Sequence, residues 1–225
     1  MKYTSLLLDL DDTLLDFKKA EARAVALVLE RHSLPHDEAT VKLYSAINQS
    51  YWERFERGEI PKNAIYTGRF DALAERIGAQ IESQAVSTEY CGELANGFFT
   101  VEGTFDVLDY LKDKGYRLYA ATNGLSKTQY KRIEGSGLKP YFEGVFVSED
   151  AGAQKPEKAY YDYVISNIYE KDKSKMLIVG DSQSSDILGA LNAGIDACWF
   201  NPAHKKGKYS CKFGISSLYE LKNIL

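Results

Sequence analysis

Ser5-Leu6-Leu7-Leu8-Asp9-Leu10-Asp11-Asp12-Thr13-Leu14 is the stretch on which the fold turns. Three successive leucines followed at once by carboxylates describe a short strand, buried on both faces, whose carboxyl end meets a polar site. Ligands of open parallel sheets sit just outside the carboxyl ends of the strands. Asp9 and Asp11, two apart on an extended chain, are therefore expected at that rim with Thr13 just beyond. An acidic pair there suits a divalent cation, a nucleophile, or both. The same residues also compose an ordinary strand end followed by a helix cap. What the other strand ends supply decides between the two.

Downstream of Phe17 the pattern is helical for about eighty residues. Val25, Val28 and Leu29 mark a first helix over 18–32, and Tyr44, Ile47, Tyr51 and Phe55 a second, ended by Gly58 and Pro61. Tyr66, Phe70, Leu73 and Ile77 carry a third that stops at Gly78, and Val86, Tyr90 and Leu94 a fourth. Beyond Gly103 the texture alternates. Helices are predicted at 104–114, 126–135, 157–169 and 185–193, with strands at 116–121, 145–147, 176–179 and 197–200. That alternation describes an α/β protein with a Rossmann-like, doubly wound parallel sheet. About a hundred residues separate the first two strands, where a crossover needs only a dozen. The surplus reads as an inserted α-helical bundle cap at 17–100, with 1–16 and 101–225 forming the core domain.

Composition narrows the function classes. With 44% apolar and 27% charged residues the chain is of the soluble globular kind. A net charge of −4 gives no pull toward a nucleic acid polymer or an anionic membrane. Lys205-Lys206-Gly207-Lys208 reads as a solvated loop. Cys91, Cys198 and Cys211 are too far apart for a disulfide framework or a CxxC site, and His32, His36 and His204 do not join them in a zinc site. Without a leader pattern or an apolar run of membrane-spanning length, the expected location is cytoplasmic. The expected assembly is a monomer or weak homodimer.

Four strand or loop boundaries now converge: Asp9 and Asp11; Thr122 and Asn123; Lys155 before Pro156; and Asp181 with Asp186. Together they resemble the haloacid dehalogenase superfamily, the capped phosphatases. Asp9-Leu10-Asp11-Asp12-Thr13 matches its DxDxT signature, Thr122 its strand-ending Thr or Ser, Lys155-Pro156 its Lys, and Gly180-Asp181 through Asp186 its GDxxxxD. The helical insertion matches the family's C1-type cap. The Asp9-to-Phe17 opening and the Cys198-Trp199-Phe200-Asn201-Pro202 run are similar to 5′-nucleotidases of the YjjG/YfnB type.

The resemblance implies a phosphomonoester hydrolase. Asp9 would be the nucleophile and Asp11 the general acid and base, with Thr122, Asn123 and Lys155 holding the phosphoryl oxygens. Charge counting asks for a cation, because Asp9, Asp181, Asp186 and a phosphate dianion crowd one pocket against Lys155 alone. At an effective dielectric near 20, each like pair about 4 Å apart costs ~4 kcal/mol. Mg²⁺ suits such an oxygen-only site. Asp9, the Asp11 carbonyl and Asp181 are its expected ligands, with Asp186 behind them. The expected substrate is a small phosphorylated metabolite, and the resemblance implies a nucleoside 5′-monophosphate with pyrimidines favoured.

Other readings fit less of the chain. Asp11 supplies the second acid that a haloacid dehalogenase proper does not need. A sugar-phosphate phosphatase or phosphomutase would use the same core. A receiver-type signalling domain shares the acidic site, Thr and Lys, yet lacks the helical insertion and the DxDxT placement. A catalytically silent nucleotide-binding module has no need of Asp9 or Asp11. A dinucleotide enzyme would need GxGxxG after the first strand. Selectivity is expected from the insertion, where Phe17, Tyr51, Trp52, Arg54 and Tyr66 offer aromatic and basic surface, although most of these pack a bundle on this pattern.

Overall fold

The computed structural model describes residues 2–225. Two compact units divide the chain, one of 1–16 and 100–225, the other of 17–99. In the larger unit β1 (Ser5–Leu8), β2 (Arg117–Thr122), β3 (Gly144–Val147), β4 (Met176–Gly180), β5 (Asp196–Phe200) and β6 (Phe213–Ile215) form one sheet. Their order is β3-β2-β1-β4-β5-β6, and every neighbouring pair is parallel.

β1 is the central strand because it has no polar face. Leu6 and Leu8 point to one side, where they meet Leu118, Ala120, Leu177 and Val179, covered by Val107, Leu108 and Leu111 of α5 (Thr104–Asp113). Leu7 points to the other side. There Tyr119, Ala121 and Ile178 pack against Tyr160, Tyr161 and Val164 of α8 (Lys158–Asn167) and Ala190 of α9 (Leu188–Ala193). Both faces are thus covered, as an all-parallel sheet requires. Strand order reverses between β2 and β4, on either side of β1, and that reversal opens a crevice at the strands' carboxyl ends.

The chain does not stay extended beyond Leu10. Asp12 adopts φ 57, a left-handed conformation that Asp tolerates. The turn brings the Leu14 and Leu15 N–H groups back to the Leu10 carbonyl, and the Asp12 N–H to that of Leu15. Thr13 is fully buried with its hydroxyl donating to Asp9 Oδ2 (3.3 Å), and Asp9 and Asp11 face different partners.

The smaller unit is a bundle of α1 (Phe17–Arg31), α2 (Glu38–Glu56), α3 (Asn63–Ile77) and α4 (Ser83–Leu94). Gly78 ends α3 in the left-handed conformation that a C-cap glycine supplies. Tyr44, Phe70 and Tyr90 meet at its centre with ring centroids 5.1–5.7 Å apart. A polar chain that periodicity does not reveal crosses this core. Arg69 donates to Asn48 (2.9 Å), Asn48 donates to Glu21 (2.7 Å), and the guanidinium lies 4.5 Å from the Tyr90 ring centroid.

Three further departures from the sequence expectations lie in the larger unit. β6 is a short edge strand with too little pattern to predict. α7 (Ser148–Ala151) is a single turn following β3. The segment Gln183–Ile187 ahead of α9 is a π-helical turn, a form frequent at functional sites. Among the described residues, no helix is long and apolar enough to cross a membrane.

Candidate active site

Asp9 continues β1 by one residue, its N–H bonding the Val179 carbonyl of β4 (2.9 Å). This fixes its backbone to the sheet while its side chain enters the crevice, 6% of the residue remaining exposed. Lys155 arrives from the loop after α7 and is 2% exposed. Its ammonium donates all three hydrogens to protein acceptors: Asp9 Oδ1 (2.6 Å), Asp186 Oδ1 (2.7 Å) and the Ala121 carbonyl (2.9 Å). The Asn123 side chain holds that loop at both polar atoms, donating to the Lys155 carbonyl (2.8 Å) and accepting from its N–H (2.9 Å). The Asn123 carboxamide is thus a strut under Lys155.

Asp186 lies in the π-helical turn. Its second oxygen accepts from the Ser182 N–H (3.1 Å), so both of its oxygens are engaged. Close approach is possible because Gly180 has no side chain; a Cβ there would overlap the Asp186 carboxylate. Asp181 follows β4, anchored where the Trp199 indole N–H donates to its carbonyl (2.8 Å). Its carboxylate meets no hydrogen-bond donor or cationic side chain among the described residues.

Asp9, Asp181 and Asp186 each bring one carboxylate oxygen within 4.8 Å of the others. Burial, together with the Asp186 and Asp11 charges, pushes the Asp9 carboxyl up to about 8 despite Lys155. Burial and the charges of Asp9 and Asp186 raise Asp181 well above the ordinary carboxylate range. Lys155 stays protonated, because the attraction of Asp186 and Asp9 outweighs its burial. Hard oxygen donors, an excess of negative charge and a carboxylate with no donor of its own fit a bound divalent cation.

Asp11 turns away from this cluster. Its carboxylate is 29% exposed and is met by the Arg132 guanidinium at one oxygen and by Gln129 Nε2 at the other (2.8 Å). Its carbonyl takes no part in the hydrogen bonds of the Leu10–Leu15 turn. Thr122 ends β2, and its Oγ1 accepts from Gln129 Nε2 (2.7 Å) and from the Gly124 N–H (3.1 Å). With both lone pairs taken, its own hydrogen is left to donate. All seven residues singled out in the sequence thus lie around the carboxyl ends of β1, β2 and β4. Gln129 and Arg132, on α6 (Ser126–Gly135), escaped that reading. The signal was there: Thr128, Gln129, Arg132 and Ile133 are its buried positions, so the face it presents to the sheet is mostly polar.

Residues 3–194 match the haloacid dehalogenase-like hydrolase family. The HAD-hydrolase YfnB of Bacillus subtilis is 39% identical over 226 residues, spanning 100% of this chain and 96% of its own. The structure of YfnB bound to magnesium has a TM-score of 0.95 and covers 100% of this chain and 99% of the other. The pyrimidine 5′-nucleotidase PynA of Streptococcus pneumoniae is 39% identical over 204 residues, 91% of this chain and 86% of its own. The Escherichia coli pyrimidine 5′-nucleotidase YjjG is 30% identical over 227 residues, 100% of this chain and 99% of its own. Sheet order, the strand-end carboxylates and full-length relatives agree, and the chain belongs to the haloacid dehalogenase-like hydrolase family.

Proposed function

We propose that the protein is a Mg²⁺-dependent phosphomonoesterase acting on nucleoside 5′-monophosphates, with pyrimidine nucleotides preferred. The observation that carries the reading is the buried Asp9 carboxylate, held by Lys155 inside an acidic cluster, with a second, separately anchored carboxylate two residues on. The two full-length relatives named pyrimidine 5′-nucleotidases support the substrate class.

An Asp9 oxygen attacks phosphorus in line with the ester oxygen. The P–O ester bond breaks, its electron pair stays on the departing alkoxide, and Asp11 supplies the proton that makes it an alcohol. Water then attacks the aspartyl-phosphate and gives a proton to Asp11. The P–O bond to Asp9 breaks, releasing phosphate and restoring the carboxylate. The Thr122 hydroxyl donates to a phosphoryl oxygen. Lys155, with its hydrogens committed, contributes charge rather than a direct bond, and its charge together with that of the bound cation would offset burial and hold Asp9 as the attacking carboxylate. Asp9, the Asp11 carbonyl and Asp181 would hold Mg²⁺, with Asp186 fixing the arrangement through Lys155. Mg²⁺, when bound, offsets the pooled negative charge and orients the phosphoryl oxygens.

The test is phosphate release from a panel of nucleotides and sugar phosphates, with Mg²⁺ and with EDTA. Metal-dependent turnover favouring UMP, dUMP or dTMP is expected. Asp9→Asn should abolish it, and Asp11→Asn should lower it by ~10²–10⁴. Near-normal turnover by Asp9→Asn would refute the assignment, and stable phosphorylation of Asp9 without turnover would favour a receiver or mutase.

A further inference from the structure

Two fully buried polar side chains converge on Asp11 from one face of α6. Gln129 is 1% exposed and Arg132 0%, and their i,i+3 spacing aligns them on the same face of the helix. The single amide nitrogen of Gln129 donates to Asp11 Oδ2 (2.8 Å) and to Thr122 Oγ1 (2.7 Å). Its carbonyl oxygen accepts from Arg132 Nη1 (3.1 Å), which also donates to the other Asp11 oxygen. The chain makes room for this link, since a Cβ at Gly124 would lie 2.6 Å from the Gln129 side chain.

We infer that Gln129, backed by Arg132, is a positioning residue that sets the Asp11 carboxylate for proton transfer and turns the Thr122 hydroxyl hydrogen toward the phosphoryl group. The inference rests on the phosphoryl-transfer reading above. A carboxamide is the group the geometry requires. Its NH₂ donates to both Asp11 and Thr122 while its oxygen accepts from Arg132. A carboxylate at 129 would repel Asp11 and take the Thr122 hydrogen for itself. Each Asp11 oxygen keeps a second lone pair for the proton it moves, so the clamp orients the group without blocking it. Misplacing such a group by about 1 Å can cost ~10² in rate.

Were these two side chains merely filling the space between helix and sheet, their replacement would slow every substrate alike. The full-length enzyme with Mg²⁺ separates the cases through its leaving-group dependence. Nitrophenolate departs from p-nitrophenyl phosphate without a proton, whereas the 5′-alkoxide of UMP needs one. The readout is the ratio of kcat/KM for UMP to that for p-nitrophenyl phosphate, with Asp11→Asn as the reference. Gln129→Glu and Gln129→Ala should each lower this ratio at least roughly tenfold, in the direction of Asp11→Asn. Acid quenching should also trap more phosphate on Asp9 in both, since the hydrolytic step needs Asp11 as well. Gln129→Ala introduces no charge and covers the case in which Gln129→Glu does not fold. Arg132→Lys, which keeps the charge but loses the two-way contact, should lower the ratio by less. A wild-type ratio in the Gln129 variants, while Asp11→Asn lowers it, would overturn the inference alone. An unchanged ratio in Asp11→Asn itself would overturn the Asp11 assignment beneath it.

Discussion

Replacing Asp181 by Asn should stabilise the chelated protein even as it removes turnover. Three carboxylate oxygens lie within 4.8 Å of one another, and at an effective dielectric near 20 unit charges that far apart repel by about 3.5 kcal/mol. Lys155 answers Asp9 and Asp186 directly, but Asp181 has no donor of its own. Burial and its two acidic neighbours raise the Asp181 carboxyl well above its ordinary 3.8. Below that value the folded and unfolded chains are both protonated there, and the site costs nothing. As pH rises, the unfolded chain releases its proton while the folded chain keeps it. Stability then falls by about 1.4 kcal/mol per pH unit until the folded group ionises too. Between 3.8 and pH 7 the loss is therefore capped near 4 kcal/mol. Asn ionises in neither state and strands no hydrogen bond, so a gain of about 1–4 kcal/mol is expected at pH 7. At about 2–4 °C per kcal/mol for a chain of this size, that is a rise in Tm on the order of 2–16 °C.

Thermal melts in EDTA at several pH values read this directly. The difference between variant and wild type should vanish near pH 4 and grow toward neutrality. Mg²⁺ should shrink or reverse it, because binding stabilises only the chain that retains the ligand. A variant no more stable than wild type at pH 7 in EDTA, or a difference that ignores pH, would refute the charge-crowding account.

Lys155→Met should destabilise the core unit by about 3–5 kcal/mol, because it strands the buried carboxylates of Asp9 and Asp186. A shift under about 1 kcal/mol in a urea titration would show that those carboxylates find other partners. Away from the site, Asp196 accepts from Tyr3 (2.6 Å), Lys2 (2.9 Å) and Lys212 (2.7 Å). Its burial opposes ionisation, but hydrogen bonds from Lys212, Tyr3 and Lys2 prevail and hold the carboxyl well below the usual range. That stability is present above the unfolded-state value of 3.8 and is lost as pH falls through the lower folded value. Asp196→Asn should thus cost up to about 1 kcal/mol at pH 7 and progressively less in acid. Urea midpoints from pH 7 down to pH 2 would test it, and a pH-independent difference would count against the assignment.

How far the sequence could be read depended on which force placed each residue. β1 was legible because three adjacent leucines have no polar face to offer solvent, so they require a sheet covered on both sides. Two carboxylates of the acidic cluster were legible because each follows such a strand directly. Asp9 and Asp181 inherit their positions from β1 and β4 with no intervening freedom. Asp186 was placed by a subtler rule, in that only a glycine at 180 lets a carboxylate six residues on fold back against the strand end. Gln129 and Arg132 obey no local pattern of that kind. On a helix with a mostly polar, basic sequence they look like a solvated face, and only the turn at Asp12 shows why they are buried. That turn sends Asp11 away from Asp9, toward the β2–α6 side of the crevice, where a polar helix face is needed to receive it. The separation of the two carboxylates has a chemical consequence. In the proposed mechanism Asp9 stays an ionised nucleophile beside a cation, whereas Asp11 gains and loses a proton in each cycle. Two acids two residues apart can do both only if their surroundings differ, and the α6 clamp on one and the Lys155 cage on the other supply that difference.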